Sequence, residues 1–252
     1  MKKRNILISN DDGIHSFGLR VLVETLAPLG RVTVVAPDRE QSACSHSLTL
    51  RNPLRVEKLE EGFYAVDGTP TDCVNLAVNA IMKGSPPDLV VSGINKGGNL
   101  GDDVTYSGTV AAAFEGTLLG IPSMAVSLVI DREHHFETAA RVAADLAVNI
   151  FQQGMPEDTL LNVNVPDCPW DALSGYRITA QGKRIYSDAV TENTDPRGRK
   201  YYWIGGDVLG GVEIENSDFQ VVQEGYVSIT PLHLDLTNYR VMESLRGWER
   251  SR

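Results

Sequence analysis

The chain has too few cysteines for a disulfide framework. Cys44, Cys73 and Cys168 are odd in number, widely spaced and outside any CxxC pair, so reduced thiols in a cytosolic protein are the default. Cys73, with no basic neighbour in sequence, reads as a small buried hydrophobe. Long apolar runs are missing too. A signal peptide takes about 7–15 apolar residues and a spanning helix about 20, whereas the basic start Met1-Lys2-Lys3-Arg4 leads into a short stretch that ends at Asn10. The expectation is a cytoplasmic protein with no membrane partner. Positive charge is scarce: 23 Lys and Arg against 33 Asp and Glu leave a net charge of −10. Such a chain lacks the basic footprint of a protein that binds nucleic-acid polymers. An anionic ligand would need a metal, a helix N-terminus or a few local cations. Glycine fingerprints are absent where cofactors need them. The first turn, Asn10-Asp11-Asp12-Gly13, has acids where a dinucleotide site needs glycines, and no GxxxxGK[ST] occurs. That argues against a nicotinamide or flavin enzyme. Repeats and low-complexity segments are absent as well.

What remains is an ordinary globular composition over 252 residues. Short apolar runs at 5–9, 31–37, 87–93, 121–128 and 159–166 read as buried parallel strands. Between them lie helical patterns. One runs from Leu19 to Leu29, a second starts at Thr69 with Pro70 and Asp72 in its first turn, a third opens at Ser107, and a fourth spans 136–151. Two short strands are expected over 48–56 and 62–66. Alternating β and α predicts an α/β fold: a Rossmann-like, mostly parallel sheet with helices on both faces. The last third differs. Strands are expected at 176–179, 200–204 and 224–231, and a closing helix at 237–248. We divide the single domain into a core (1–180), an extended C-terminal β-hairpin arm (181–236) and a C-terminal helix (237–252). Long hairpins without a core of their own pack on something else, often another subunit. Tyr201, Tyr202 and Trp203 suit a dimer contact better than a base-stacking platform.

Three strand ends carry candidate chemistry. Asp11 and Asp12 at the first repel each other unless a cation or a proton intervenes. They read as half of a hard divalent metal site or as a solvated turn. The loop 38–47 after the second strand is rich in small hydroxyls. Its Ser42 is a metal or phosphate donor, or a turn residue, and His46 alone is weak evidence. The loop after the third strand has five glycines in the sixteen residues from Gly93 to Gly108. It leads into Ser107-Gly108-Thr109 at a helix start, which is an anion site by its free N–H groups and dipole, or a plain N-cap. Together the three rims describe a metal centre beside a phosphate cradle, the equipment for phosphoester hydrolysis. His134-His135 reads as a surface loop.

Asn10-Asp11-Asp12-Gly13, Ala36-Pro37-Asp38 with Ser42-Ala43, Gly68-Thr69-Pro70, Ser92-Gly93-Ile94-Asn95, Tyr106-Ser107-Gly108-Thr109-Val110 and the run 224–231 together resemble the stationary-phase survival protein SurE family in order and spacing. The resemblance implies a metal-dependent nucleotidase acting on nucleoside 5′- and 3′-monophosphates, with short polyphosphate cut by some members. It implies one divalent ion, Mg²⁺ or Mn²⁺, on Asp11, Asp12, Ser42 and Asn95. Asn99, Ser107, Gly108 and Thr109 would face the phosphate. Either acid is also a candidate base or nucleophile, so Asp11 and Asp12 are the candidate catalytic residues. The family further implies arm exchange between subunits, giving a homodimer or homotetramer. Lys183, Arg184, Arg197 and Arg199 would contact the leaving group or lie in an exposed loop. A module that binds nucleotide without cleaving it is the alternative from another class.

Overall fold

Ile6 and Ile8 point to one side of the first strand and Leu7 to the other, and all three are fully buried. A strand buried on both faces needs a helical layer on each, as in parallel α/β sheets. The computed structural model describes residues 3–130, 133–186, 190–204 and 208–249. In chain order these form β1 (Arg4–Ser9), α1 (Phe17–Leu26), β2 (Gly30–Pro37), β3 (Val56–Glu60), β4 (Phe63–Val66), α2 (Pro70–Leu76), β5 (Leu89–Lys96), α3 (Gly108–Leu118), β6 (Ser123–Val129) and α4 (Phe136–Gln153). They continue with β7 (Thr159–Pro166), β8 (Tyr176–Ile178), β9 (Arg184–Tyr186), β10 (Val190–Thr194), β11 (Lys200–Ile204), β12 (Val208–Gly211), α5 (Asp218–Gln223), β13 (Val227–His233) and α6 (Tyr239–Leu245).

Nine strands make one sheet in the order β3-β4-β2-β1-β5-β6-β7-β13-β8. β4, β2, β1, β5, β6 and β7 run parallel. Counted among themselves along the chain, they lie in the order 3-2-1-4-5-6, the doubly wound arrangement. α1 and α4 share a core with Ile6 and Ile8. On the other face Cys73 and Val74 of α2 and Ala112 of α3 pack with Leu7 and Val90. The strand order reverses between β1 and β5. Such a reversal opens a crevice beyond the carboxyl ends of those two strands. Asp11 and Asp12 leave β1 there, and Asn95 lies at the end of β5.

Local chemistry explains the element starts. Ser16 caps α1 by accepting the Leu19 N–H. Thr69 and Asp72 form a reciprocal capping box on α2, with Pro70 in the first turn. The expected strand over 48–56 is not formed. Thr49 instead gives both its N–H and its hydroxyl to Asp72, at 2.8 and 2.7 Å, which ties this stretch to the α2 cap. The strand begins only at Val56 and pairs with β4.

In the last third the sequence reading is redrawn. β13 lies inside the sheet, antiparallel to β7 and parallel to β8. Val227 and Ile229 join the main core, so this part of the 181–236 segment does not project. β10 and β11 form a separate antiparallel hairpin whose Trp203 and Ile204 are 66% and 92% exposed. α6 is exposed throughout. Residues 187–189 and 205–207 of the expected arm lie outside the described residues.

Candidate metal and phosphate site

The turn after β1 is fixed from several directions. Asn10 donates through Nδ2 to the Gly13 carbonyl and to Ser16 Oγ, at 3.0 and 2.7 Å. The Ile14 N–H reaches the Pro37 carbonyl at the end of β2. Gln41 donates its N–H to the Asp11 carbonyl at 2.8 Å, and the next residue, Ser42, is thereby held beside the two acids. Gly93 aims the third donor. Its φ is +138° and a Cβ there would lie 2.4 Å from the Val126 carbonyl oxygen, so glycine alone fits. The pairing of β5 with β6 slips between Gly93 and Asn95, a bulge of the kind that re-aims a side chain.

Asp11, Asp12, Ser42, Asn95, Asn99 and Ser107 all line one cavity of about 410 Å³. Glu40, Lys96, Asp103 and Tyr106 line it too. None of these four was a candidate site residue in the sequence, although Tyr106 opens one of the family-like motifs and Lys96 adjoins another. Among the described residues no group of three His, Cys, Asp or Glu side chains could hold a metal. The donor set is two carboxylates with neutral oxygens, a set that suits Mg²⁺ or Mn²⁺ with water and phosphate completing the shell. Asn95 uses Nδ2 on the Gly97 carbonyl at 2.8 Å, which leaves Oδ1 as its acceptor. Ser42 donates to Glu40 at 2.7 Å and keeps its lone pairs. The residues present therefore fit a hard divalent ion.

Two of the expected phosphate contacts are placed differently. The Thr109 hydroxyl donates to Asp11 Oδ1, and Gly108 packs directly against the Asp11 side chain. The start of α3 thus holds Asp11 through the Thr109 hydroxyl, which is spent on that carboxylate. Burial raises the Asp11 pKa, and the Thr109 hydrogen bond opposes the rise. Asp12 is raised to about 6, chiefly by burial and then by the charge of Asp11, while the Lys96 N–H at 3.2 Å opposes the shift. Ser107 accepts the Val110 N–H at 3.0 Å, so its own proton remains for a ligand. Asn99 is locked by Ser127 and by Asn164, each at 2.8 Å.

Other candidates resolve by position. Burial and the Asp11 charge push the Cys44 thiol to about 11, so it is not a thiolate nucleophile at neutral pH. Cys73 is buried, as read. His46 turns to Glu115 at 3.0 Å, a contact that holds the Glu115 pKa down. Arg184 pairs at 2.5 Å with Asp103 of the cavity wall. Arg199 pairs with Asp195 within its own hairpin, and the Arg197 N–H bonds the same carboxylate. His134 and His135 are on the surface side of the rim, as read, but His134 also lines a neighbouring cavity with Asp12.

Gly108 gives a direct test of this packing. A Cβ there would stand 2.8 Å from Asp11 Cβ and 2.9 Å from Cys44 Sγ. Gly108→Ala should displace Asp11 and weaken metal binding by about 10–100-fold, the range for losing a partner that orients a ligand. Calorimetric titration with Mn²⁺ would measure it, and an unchanged affinity would refute the packing argument.

Fold and site together define a doubly wound α/β protein whose switch-point crevice is floored by carboxylates instead of glycines. A family model described as "Survival protein SurE" matches residues 6–188. A relative from Pelobacter propionicus named 5′-nucleotidase SurE is 56% identical over 245 residues, covering 97% of this chain and 99% of its own. One of the same name from Geobacter sulfurreducens is 54% identical over 248 residues, covering 98% and 94%. The crystal structure of the SurE protein from Aquifex aeolicus superposes with a TM-score of 0.89 at 48% identity, covering 98% of this chain and all of that one. The chain belongs to the survival protein SurE family.

Proposed function

We propose that this chain is a nucleotidase that hydrolyses nucleoside monophosphates with one divalent ion held by Asp11, Asp12, Ser42 and Asn95. The observation that carries this reading is the meeting of those four residues in one cavity at the switch point. It is supported by relatives named 5′-nucleotidase that match nearly end to end. A bound divalent ion supplies charge that polarises a phosphoryl oxygen and acidifies water. The protein's own groups do the rest. Thr109 and the α3 start keep Asp11 aimed at the cavity. Ser107 keeps its hydroxyl proton for the phosphate, and Asn99, fixed by Ser127 and Asn164, lines the same cavity. Lys96 brings positive charge to the cavity of a chain with net charge −10. Asp12, half-buried and bonded by a single backbone N–H, is the more accessible proton acceptor.

The test is a substrate panel on metal-depleted protein. AMP, GMP, 3′-AMP and short polyphosphate would be offered with no metal, Mg²⁺ and Mn²⁺ in turn. Phosphate release from nucleoside monophosphates is expected only with metal. Tight nucleotide binding with no phosphate release at saturating metal would favour a regulatory binding module. A cytoplasmic location belongs to the same reading, and among the described residues no helix is long and apolar enough to cross a membrane. So does assembly as a homodimer or homotetramer, for which the exposed apolar face of the β10–β11 hairpin is the support. Replacing residues 190–204 by a short turn should lower the sedimentation coefficient, and an unchanged profile would refute that contact.

A further inference from the structure

A second cavity, of about 350 Å³, opens on the other side of Asp12 and Lys96. Its walls are aromatic. The Phe136 ring is buried and forms the floor. Phe17 stands at 76° to it, with centroids 5.6 Å apart, and His134 stands at 87°, 6.4 Å away. Phe17 nevertheless leaves 57% of its surface in solvent. A lone exposed apolar residue needs no explanation, but this one faces a pocket that continues into the carboxylate cavity.

The His134 side is built with some effort. The residue has φ +64°, in the left-handed region that few non-glycine residues enter and where His is enriched. It is held there by Asp167, just past the end of β7, whose side chain is fully buried. That carboxylate accepts the N–H groups of Glu133, His134 and His135 at 3.1, 3.0 and 2.7 Å. It also pairs with His135 Nδ1 at 3.0 Å. Backbone held in a sparsely populated region by its surroundings is concentrated at ligand sites.

Two flat rings over an aromatic floor suit a flat heteroaromatic ligand, because every nucleobase has a π-face to stack. The volume lies in the range of small-molecule pockets. Asp12 and Lys96 line both cavities, so one molecule with an anionic end and an aromatic end can occupy both. We propose that the pocket of Phe17, His134 and Phe136 receives the base of the nucleoside monophosphate whose phosphate lies over Asp11 and Asp12. This rests on the nucleotidase reading above. It assigns base recognition to Phe17 and His134, with Lys96 at the junction beside the ribose and phosphate. Stacking tolerates any base, so the pocket predicts weak discrimination between purines and pyrimidines.

The experiment compares AMP with ribose 5-phosphate, which keeps the sugar and phosphate and lacks the base. In Phe17→Ala, kcat/KM for AMP should fall about tenfold through KM, while ribose 5-phosphate stays within about twofold. Phe17→Trp should retain AMP turnover. In parallel, equilibrium dialysis of adenosine against metal-free protein should show binding weakened by about the same factor in Phe17→Ala. AMP and ribose 5-phosphate falling together would mark Phe17 as structural and overturn the assignment. Unchanged AMP kinetics and adenosine binding would also overturn it, and would direct the base to the cavity beside Phe114, which meets the carboxylate cavity at Ser107. If wild-type protein bound adenosine through Phe17 but cleaved neither phosphate at saturating metal, the nucleotidase reading would fail and the base site would stand.

Discussion

Asp12→Asn is expected to lower nucleotide hydrolysis about a thousandfold, a loss of roughly 4 kcal/mol of transition-state stabilisation, without unfolding the protein. The variant removes a charged metal ligand and the more accessible proton acceptor together. It keeps the size of the side chain and an oxygen for the Lys96 N–H. Stability is expected to move in the opposite direction from activity. Burial and the neighbouring Asp11 charge raise the Asp12 pKa to about 6, which means that its ionised form is disfavoured in the folded chain. An amide relieves that repulsion. At pH 7 and without metal, Asp12→Asn should therefore melt at or above the wild-type temperature. Calorimetric melting beside initial-rate kinetics separates the two effects. A variant that retained full turnover, or that lost activity only because it unfolded, would overturn the assigned site.

Metal removal should abolish turnover, and metal binding should weaken as the medium is acidified. The sign follows from the Asp12 shift. A carboxyl whose folded pKa lies above its unfolded value of 3.8 opposes folding once ionised, so its penalty grows as pH rises through the window from 3.8 to about 6. A cation must displace the proton in the same window. Below about pH 6 the apparent Kd for Mn²⁺ should rise, approaching about tenfold per pH unit, because one proton leaves Asp12 for each ion bound. Asp11 is also raised by burial, which steepens the dependence at lower pH. Stabilisation by metal should be largest above pH 6 and shrink on acidification. The melting difference between metal-free wild type and Asp12→Asn should shrink likewise. Differential scanning calorimetry from pH 5 to 8, with EDTA or with Mn²⁺, would measure both. A metal affinity that was flat across this range would show that Asp12 is not a ligand.

Most of the scaffold was legible in residue order. The α2 start was readable because Thr69, Pro70 and Asp72 act within one turn, and the capping box forms as expected. The parallel strands were readable because residues such as Ile6, Leu7 and Ile8 are apolar on both faces. The strand at 48–56 was misplaced because its fate depends on Asp72, more than twenty residues away. β13 was drawn into the projecting arm because its partners, β7 and β8, are set by long-range pairing.

For the site, the sequence by itself determined the donor types, their order and the family. Asp11 and Asp12, Ser42, Asn95 and Ser107-Gly108-Thr109 each follow a strand end or open a helix, and such signals are local. Only the tertiary structure decided which groups face which. The Thr109 hydroxyl looked free for phosphate, yet the Asp11 carboxylate takes it. The β5 bulge at Gly93 sets the place of Asn95. Asp167 brings His134 to the edge of a pocket shared with Asp12. Hydrogen-bond donors go to whichever acceptor the fold brings within about 3 Å. That distance is set by packing between segments far apart in the chain.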